Sequence, residues 1–124
     1  MGLKRWAYVA LPLLLASAPM ARAQDAAAGE KVFARCAICH SLEAGKGSTI
    51  GPHLDGVVGR RAGTVPGYMY SPGMAKAGIT WTTPNLDKFI ASPATIVPGN
   101  KMPFAGLPDA HARADLIAFL ATKK

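Results

Sequence analysis

Cysteine is scarce in this 124-residue chain. Cys36 and Cys39 are the only two, too few for a multi-disulfide scaffold. Charge is sparse as well, at 17% of residues against 50% hydrophobic, which excludes a strongly disordered chain. Runs of β-branched and aromatic residues are few, which disfavours an all-β domain. Basic residues stand singly, with no stretch that interleaves them with aromatics, so nucleic acid is not an expected partner. After Gln24 no apolar run approaches the roughly 20 residues that a membrane-spanning helix needs. No internal repeat is present, and the length suits one domain rather than two. What the chain does have is 13 Gly and 10 Pro. Many turns and long loops follow, and something other than secondary structure must hold them in place.

The first residues read as a secretory signal. Lys4 and Arg5 form a positive start, residues 6–18 are apolar except for Ser17, and Ala21-Arg22-Ala23 places small residues at both positions a signal peptidase reads. The expected cut lies before Gln24, giving a signal peptide over 1–23 and a domain over 24–124. The competing reading is an uncleaved anchor, for which the apolar run is short. Removal takes away three of the 14 basic residues and none of the seven acidic ones, leaving 101 residues with a formal charge of +4 rather than +7. A core of that size is marginal without a staple, a metal or a cofactor.

Helical signals recur through the domain. Asp25 caps a run expected to be helical over 25–39, with Val32, Phe33 and Cys36 at helical spacing. Residues 41–70 lack periodicity, and a structureless stretch of that length in a compact domain is expected to wrap something. Ser71-Pro72 opens a short helix ending near Gly78. Thr83-Pro84 opens another, which stops at Ser92-Pro93 because helices rarely continue into X-Pro. Residues 93–108 read as a second loop. Asp109 caps a last helix whose Ala112, Leu116, Ile117, Phe119 and Leu120 form an apolar stripe. The expected class is all-α, short helices joined by long loops.

Cys36-Ala37-Ile38-Cys39-His40 carries the chemistry. Two thiols three residues apart can each add to one vinyl group of haem, and the next residue can place an imidazole nitrogen on the iron. A thioredoxin-like redox pair would need a βαβ context that is absent. Zinc would need a fourth ligand and normally a second Cys/His pair. A disulfide here would close only a tiny loop and add little stability. Covalent haem also supplies the missing core and the object that the loops wrap. For the second axial ligand the candidates are His53, His111, Met69, Met74 and Met102. His53 lies soon after the motif, beside Pro52, and is expected on the His40 side. His111 reads as an exposed residue at a helix start. Met102 sits in an irregular loop, free of helix constraints, and a soft thioether suits ferrous iron.

Taken together, these stretches resemble the class I c-type cytochromes, similar to mitochondrial cytochrome c and bacterial cytochrome c2. The matching segments are Gly29-Glu30-Lys31-Val32-Phe33, the Cys36–His40 motif, Gly51-Pro52-His53-Leu54, Gly78-Ile79-Thr80-Trp81, residues 98–106 and Asp115-Leu116-Ile117-Ala118-Phe119-Leu120. They span essentially the whole domain, in register. The resemblance implies the cytochrome c fold and one haem c bound through Cys36 and Cys39, with His40 and Met102 as iron ligands. It implies that the Pro52 carbonyl accepts the His40 imidazole proton. Tyr70 and Trp81 would hydrogen-bond a buried propionate, with Arg60 or Arg61 nearby, although Trp81 alone would read as core packing. Gly29 and Phe33 would meet Leu116 and Phe119 where the terminal helices cross.

Three places depart from the mitochondrial pattern. Met74 stands where that branch has a polar Asn, Phe89 where a Tyr hydroxyl reaches toward the ligand sulfur, and Pro108-Asp109-Ala110 where lysines are common. The function implied is that of a periplasmic, monomeric, non-enzymatic electron carrier. It would serve donor and acceptor proteins of a respiratory or related chain through an exposed haem edge, with Arg35 and Lys101 beside that edge. The alternative is a haem enzyme or gas-binding sensor with a labile sixth ligand, and whether Met102 is bound separates the two.

Overall fold

The computed structural model describes residues 2–4, 7, 9–13, 24–44, 46 and 50–124. The expected cleavage site at 21–23 lies outside them. Leu3, Val9, Leu11 and Leu13 of the expected signal are exposed. Among the described residues no helix is long and apolar enough to cross a membrane.

Asp25 starts the first helix as expected. It is extended, and its carboxylate accepts from the N–H groups of Ala27 and Ala28 at 2.9 and 3.2 Å. These are orphan donors of the first turn, and such a cap contributes about 1 kcal/mol. The helix, α1 (Ala26–Phe33), is shorter than the 25–39 expected. Beyond Phe33 the N–H groups of Ala34, Arg35 and Cys36 reach back three residues rather than four, to Lys31, Val32 and Phe33. The backbone tightens into a series of turns through residue 39, as helix ends do.

The second helix, α2 (Pro72–Ala75), is capped by the Ser71 hydroxyl and ends before Gly78 is reached. The third, α3 (Thr83–Ala91), begins at Thr83 as expected, with the Thr82 hydroxyl as its cap, and ends where Ser92-Pro93 requires. Residues 93–108 are not wholly loop. Pro93 opens a single turn, α4 (Pro93–Ile96), with Pro at a position where no N–H is needed. The last helix, α5 (Ala110–Ala121), is capped by Asp109 as expected. Among the described residues there is no strand, only an isolated antiparallel bridge between Arg61 and Thr80.

The two terminal helices cross at Gly29. A Cβ there would run into the Asp115 carbonyl and come 2.8 Å from Phe119 Cβ, so only glycine permits this approach. Phe33 and Phe119 meet beside it, with ring centroids 5.5 Å apart. Burial of each ring contributes on the order of 1.5–3 kcal/mol. Asp115, 4% exposed, accepts the Asp25 N–H at 2.9 Å and so locks the start of α1 to α5. Residues 115, 116 and 117 are all buried, an arc wider than a stripe. This breadth fits a helix that packs on α1, on α3 and on the interior at once.

The long glycine-rich segment is pinned by its backbone. Gly59 N–H donates to the Trp81 carbonyl, Trp81 N–H to Arg60, Ala62 N–H to Ile79 and Gly56 N–H to Lys123. Trp81 in turn packs on Phe89 of α3, with centroids 4.8 Å apart. Loop and helices therefore share one core, which continues to the wall of an internal cavity.

Candidate functional site

That cavity has a volume of about 360 Å3, within the range of small-molecule and cofactor sites. Leu54 and Val57 from the first loop, Leu86 and Phe89 from α3, and Leu116 and Leu120 from α5 make most of its wall apolar.

The turns after α1 bring Cys36, Cys39 and His40 to the same cavity. The two cysteines are not joined to each other. Burial pushes the Cys36 thiol up, opposed by the Arg35 charge, so it is a neutral thiol at physiological pH. His40 Nδ1 lies 2.7 Å from the Pro52 carbonyl oxygen, which can only accept, so Nδ1 carries the proton. Burial lowers the His40 pKa, and the Arg60 charge adds to this; together they outweigh the Pro52 contact and keep the ring neutral. Nε2 is then the free lone pair, the form an imidazole needs to bind a metal. Gly51 packs directly on the ring, and a Cβ there would come 2.8 Å from Cε1 and Nδ1.

Met102 lines the cavity from the second loop. Its position is fixed by Asn100, whose Oδ1 accepts the Met102 N–H at 2.8 Å while Nδ2 donates to the Val97 carbonyl at 2.9 Å. Lys101 Nζ donates to the Met69 carbonyl at 3.1 Å and ties this loop to the first. Tyr70, Trp81 and Arg60 also line the cavity. The Tyr70 hydroxyl accepts from Val65 N–H, and Arg60 donates to the carbonyls of His53 and Asp55. Arg35 and Lys101, both exposed, border the opening.

His53, Arg61, Met69 and His111 do not line the cavity. His53 Nδ1 is 2.5 Å from Asp55 Oδ1; both atoms are buried, and among the described residues neither has another hydrogen-bonding partner. His111 is exposed, Met69 is 79% exposed and Arg61 is exposed. Met74 and Phe89, the two departures noted above, do line the cavity. Tyr68 was not singled out by its sequence position. Its hydroxyl donates to the Ile50 carbonyl and its ring packs edge-on to Tyr70, at the cavity wall.

Two thiols, a neutral imidazole, a thioether and an apolar wall with a few polar side chains form a donor set that fits haem. Among the described residues no group of three His, Cys, Asp or Glu could hold a separate metal ion. The fold and the site thus define a haem protein of the c type.

Known proteins agree. The family model described as cytochrome c matches residues 26–124. Cytochrome c2 of Blastochloris viridis is 44% identical over 108 residues, covering 87% of this chain and 85% of that protein. Cytochrome c2 iso-2 of Magnetospirillum molischianum is 48% identical over 100 residues, covering 81% and 99%. The solved structure of cytochrome cH from Methylobacterium extorquens superposes with a TM-score of 0.76 at 47% identity, covering 80% of this chain and 99% of that one. The chain belongs to the cytochrome c family. It is a single-haem electron carrier, with haem c attached through Cys36 and Cys39.

Proposed function

We propose that His40 and Met102 are the two axial ligands, filling both positions in the ferric and the ferrous state, and that the chain carries electrons without catalysing a substrate reaction. The observation that carries this is a neutral His40, with Nδ1 committed to Pro52, sharing one cavity with a loop-held Met102. Bound haem supplies a reversible one-electron couple, whose potential a thioether raises relative to harder ligands. Pro52 and Gly51 orient the imidazole. Asn100 holds Met102 in place. Tyr70, Trp81 and Arg60 are the polar partners for a buried propionate. With both axial positions taken by side chains, no site is left for a substrate.

Residues 1–23 act as a cleaved signal, and the mature chain works as a monomer in the periplasm between donor and acceptor proteins of a respiratory or related chain. Partners meet it at the cavity mouth, beside Arg35 and Lys101. The absorption spectrum tests the reading. The alkaline pyridine derivative should report c-type haem, the ferric protein should show the weak iron–thioether band, and the ferrous protein should bind carbon monoxide poorly. A missing thioether band with ready carbon monoxide binding would establish an open sixth position and the haem-enzyme or gas-sensor reading instead.

A further inference from the structure

The second loop is held at its far end by one side chain. Arg113 of α5 is 13% exposed, and its guanidinium makes three hydrogen bonds. Nε donates to Asp87 Oδ1 of α3 at 2.7 Å; Nη1 donates to the Leu107 and Pro108 carbonyls, both at 2.9 Å. Leu107, itself buried, donates its N–H to the Ile90 carbonyl of α3 at 2.9 Å. The foot of the loop is thereby tied to two helices at once. A guanidinium suits this task because its planar fork satisfies a carboxylate and two carbonyls without rearrangement. The head of the loop is held differently, by Asn100 and by the exposed Lys101 contact to Met69.

We infer that Arg113, oriented by Asp87, is a positioning residue for Met102: it anchors the loop foot and so sets how often the thioether leaves the iron. The inference rests on Met102 being the sixth ligand. Loop opening breaks bonds to a charged donor, each worth on the order of a tenfold change in equilibrium.

The test uses ferric holoprotein and imidazole as the competing ligand, at a temperature where every variant is folded. Arg113→Gln is expected to speed imidazole binding by about tenfold or more and to weaken the iron–thioether band, with Arg113→Lys partly restoring both. Asp87→Asn, which keeps the side-chain shape and the two carbonyl bonds, should give a smaller acceleration in the same direction; it carries the test if Arg113→Gln does not fold. Phe119→Leu loosens the α1–α5 crossing, away from the loop, and serves as the comparison, each variant being measured at the same interval below its own unfolding midpoint. Unchanged imidazole kinetics in the Arg113 and Asp87 variants would overturn the inference. So would an equal acceleration in Phe119→Leu, which would mean that Arg113 acts only through general stability. Wild-type protein that lacks the thioether band and binds imidazole without delay would instead overturn Met102 as ligand.

Discussion

Gly51 and the His40 ring are packed so closely that no side chain fits between them: a Cβ on residue 51 would lie 2.8 Å from both Cε1 and Nδ1 and 2.9 Å from the Cys39 carbonyl. The next residue, Pro52, supplies the carbonyl that fixes the ring's proton on Nδ1. One dipeptide thus sets both the orientation and the tautomer of the imidazole. Gly51→Ala is expected to push the ring away from the Pro52 carbonyl. Overpacking of this kind costs about 1–3 kcal/mol. Denaturant unfolding of the holoprotein should show that loss, with a shift of the haem absorption maximum marking the displaced ring.

Haem is also the core of the fold. Without its occupant the apolar wall of the roughly 360 Å3 cavity is left unpacked, and the core that remains is small for a domain whose whole stability is about 5–15 kcal/mol. Cys36→Ala combined with Cys39→Ala is therefore expected to yield a largely unfolded, haem-free chain. Circular dichroism should show low helix content and no cooperative thermal transition. A native-like helical signal in that double variant would show that the helices and loops hold together without the cofactor.

The parts of this architecture that were legible in the sequence are the ones written in side chains. Asp25 and Asp109 announce their helices because capping needs a short carboxylate just outside the first turn. Cys36, Cys39 and His40 announce the site because haem attachment, and the ligation proposed for His40, need those groups at that spacing. Helix ends were less legible. Ala34 through Ala37 have ample helix propensity, yet the backbone tightens after Phe33 as it turns the cysteines into the cavity. The α4 turn was hidden by the proline that opens it, since Ser92-Pro93 reads as a stop. Arg113 was illegible for a different reason: two of its three acceptors are backbone carbonyls, which every residue has.

Replacing the proposed ligand tests the site most directly. Met102→Ala leaves the backbone hydrogen bond to Asn100 intact, so the loop should keep its path while the thioether is lost. The ferric thioether band should vanish, and water, cyanide or carbon monoxide should gain access to the sixth position. The reduction potential should fall, because a soft ligand that favours ferrous iron has been removed. Optical titration with carbon monoxide and redox titration measure the two effects independently.

The cavity mouth carries less charge than its position invites. Ile38 and Ile50 line it at 79% and 59% exposure, and Met69, 79% exposed, lies on the segment that Lys101 grips. Arg35 and Lys101 are the exposed basic residues that line it. Residues 108–110 contribute no lysine, and Asp109 adds a carboxylate. Steering by so few charges is weak and is screened over a Debye length of about 8 Å at physiological ionic strength. Association should then depend mainly on apolar contact at Ile38, Ile50 and Met69. The rate of electron transfer with a natural partner is expected to vary only shallowly with salt. Lys101→Glu should slow it by less than about tenfold, since single rim charges act mostly on association and are individually small. Ile38→Ser with Met69→Ser should weaken the complex by a factor that salt does not change, because buried apolar area is not screened. Stopped-flow kinetics across a salt series distinguish the two contributions. A steep fall in rate with salt, or a loss of several orders of magnitude in Lys101→Glu, would show that the basic residues dominate docking after all.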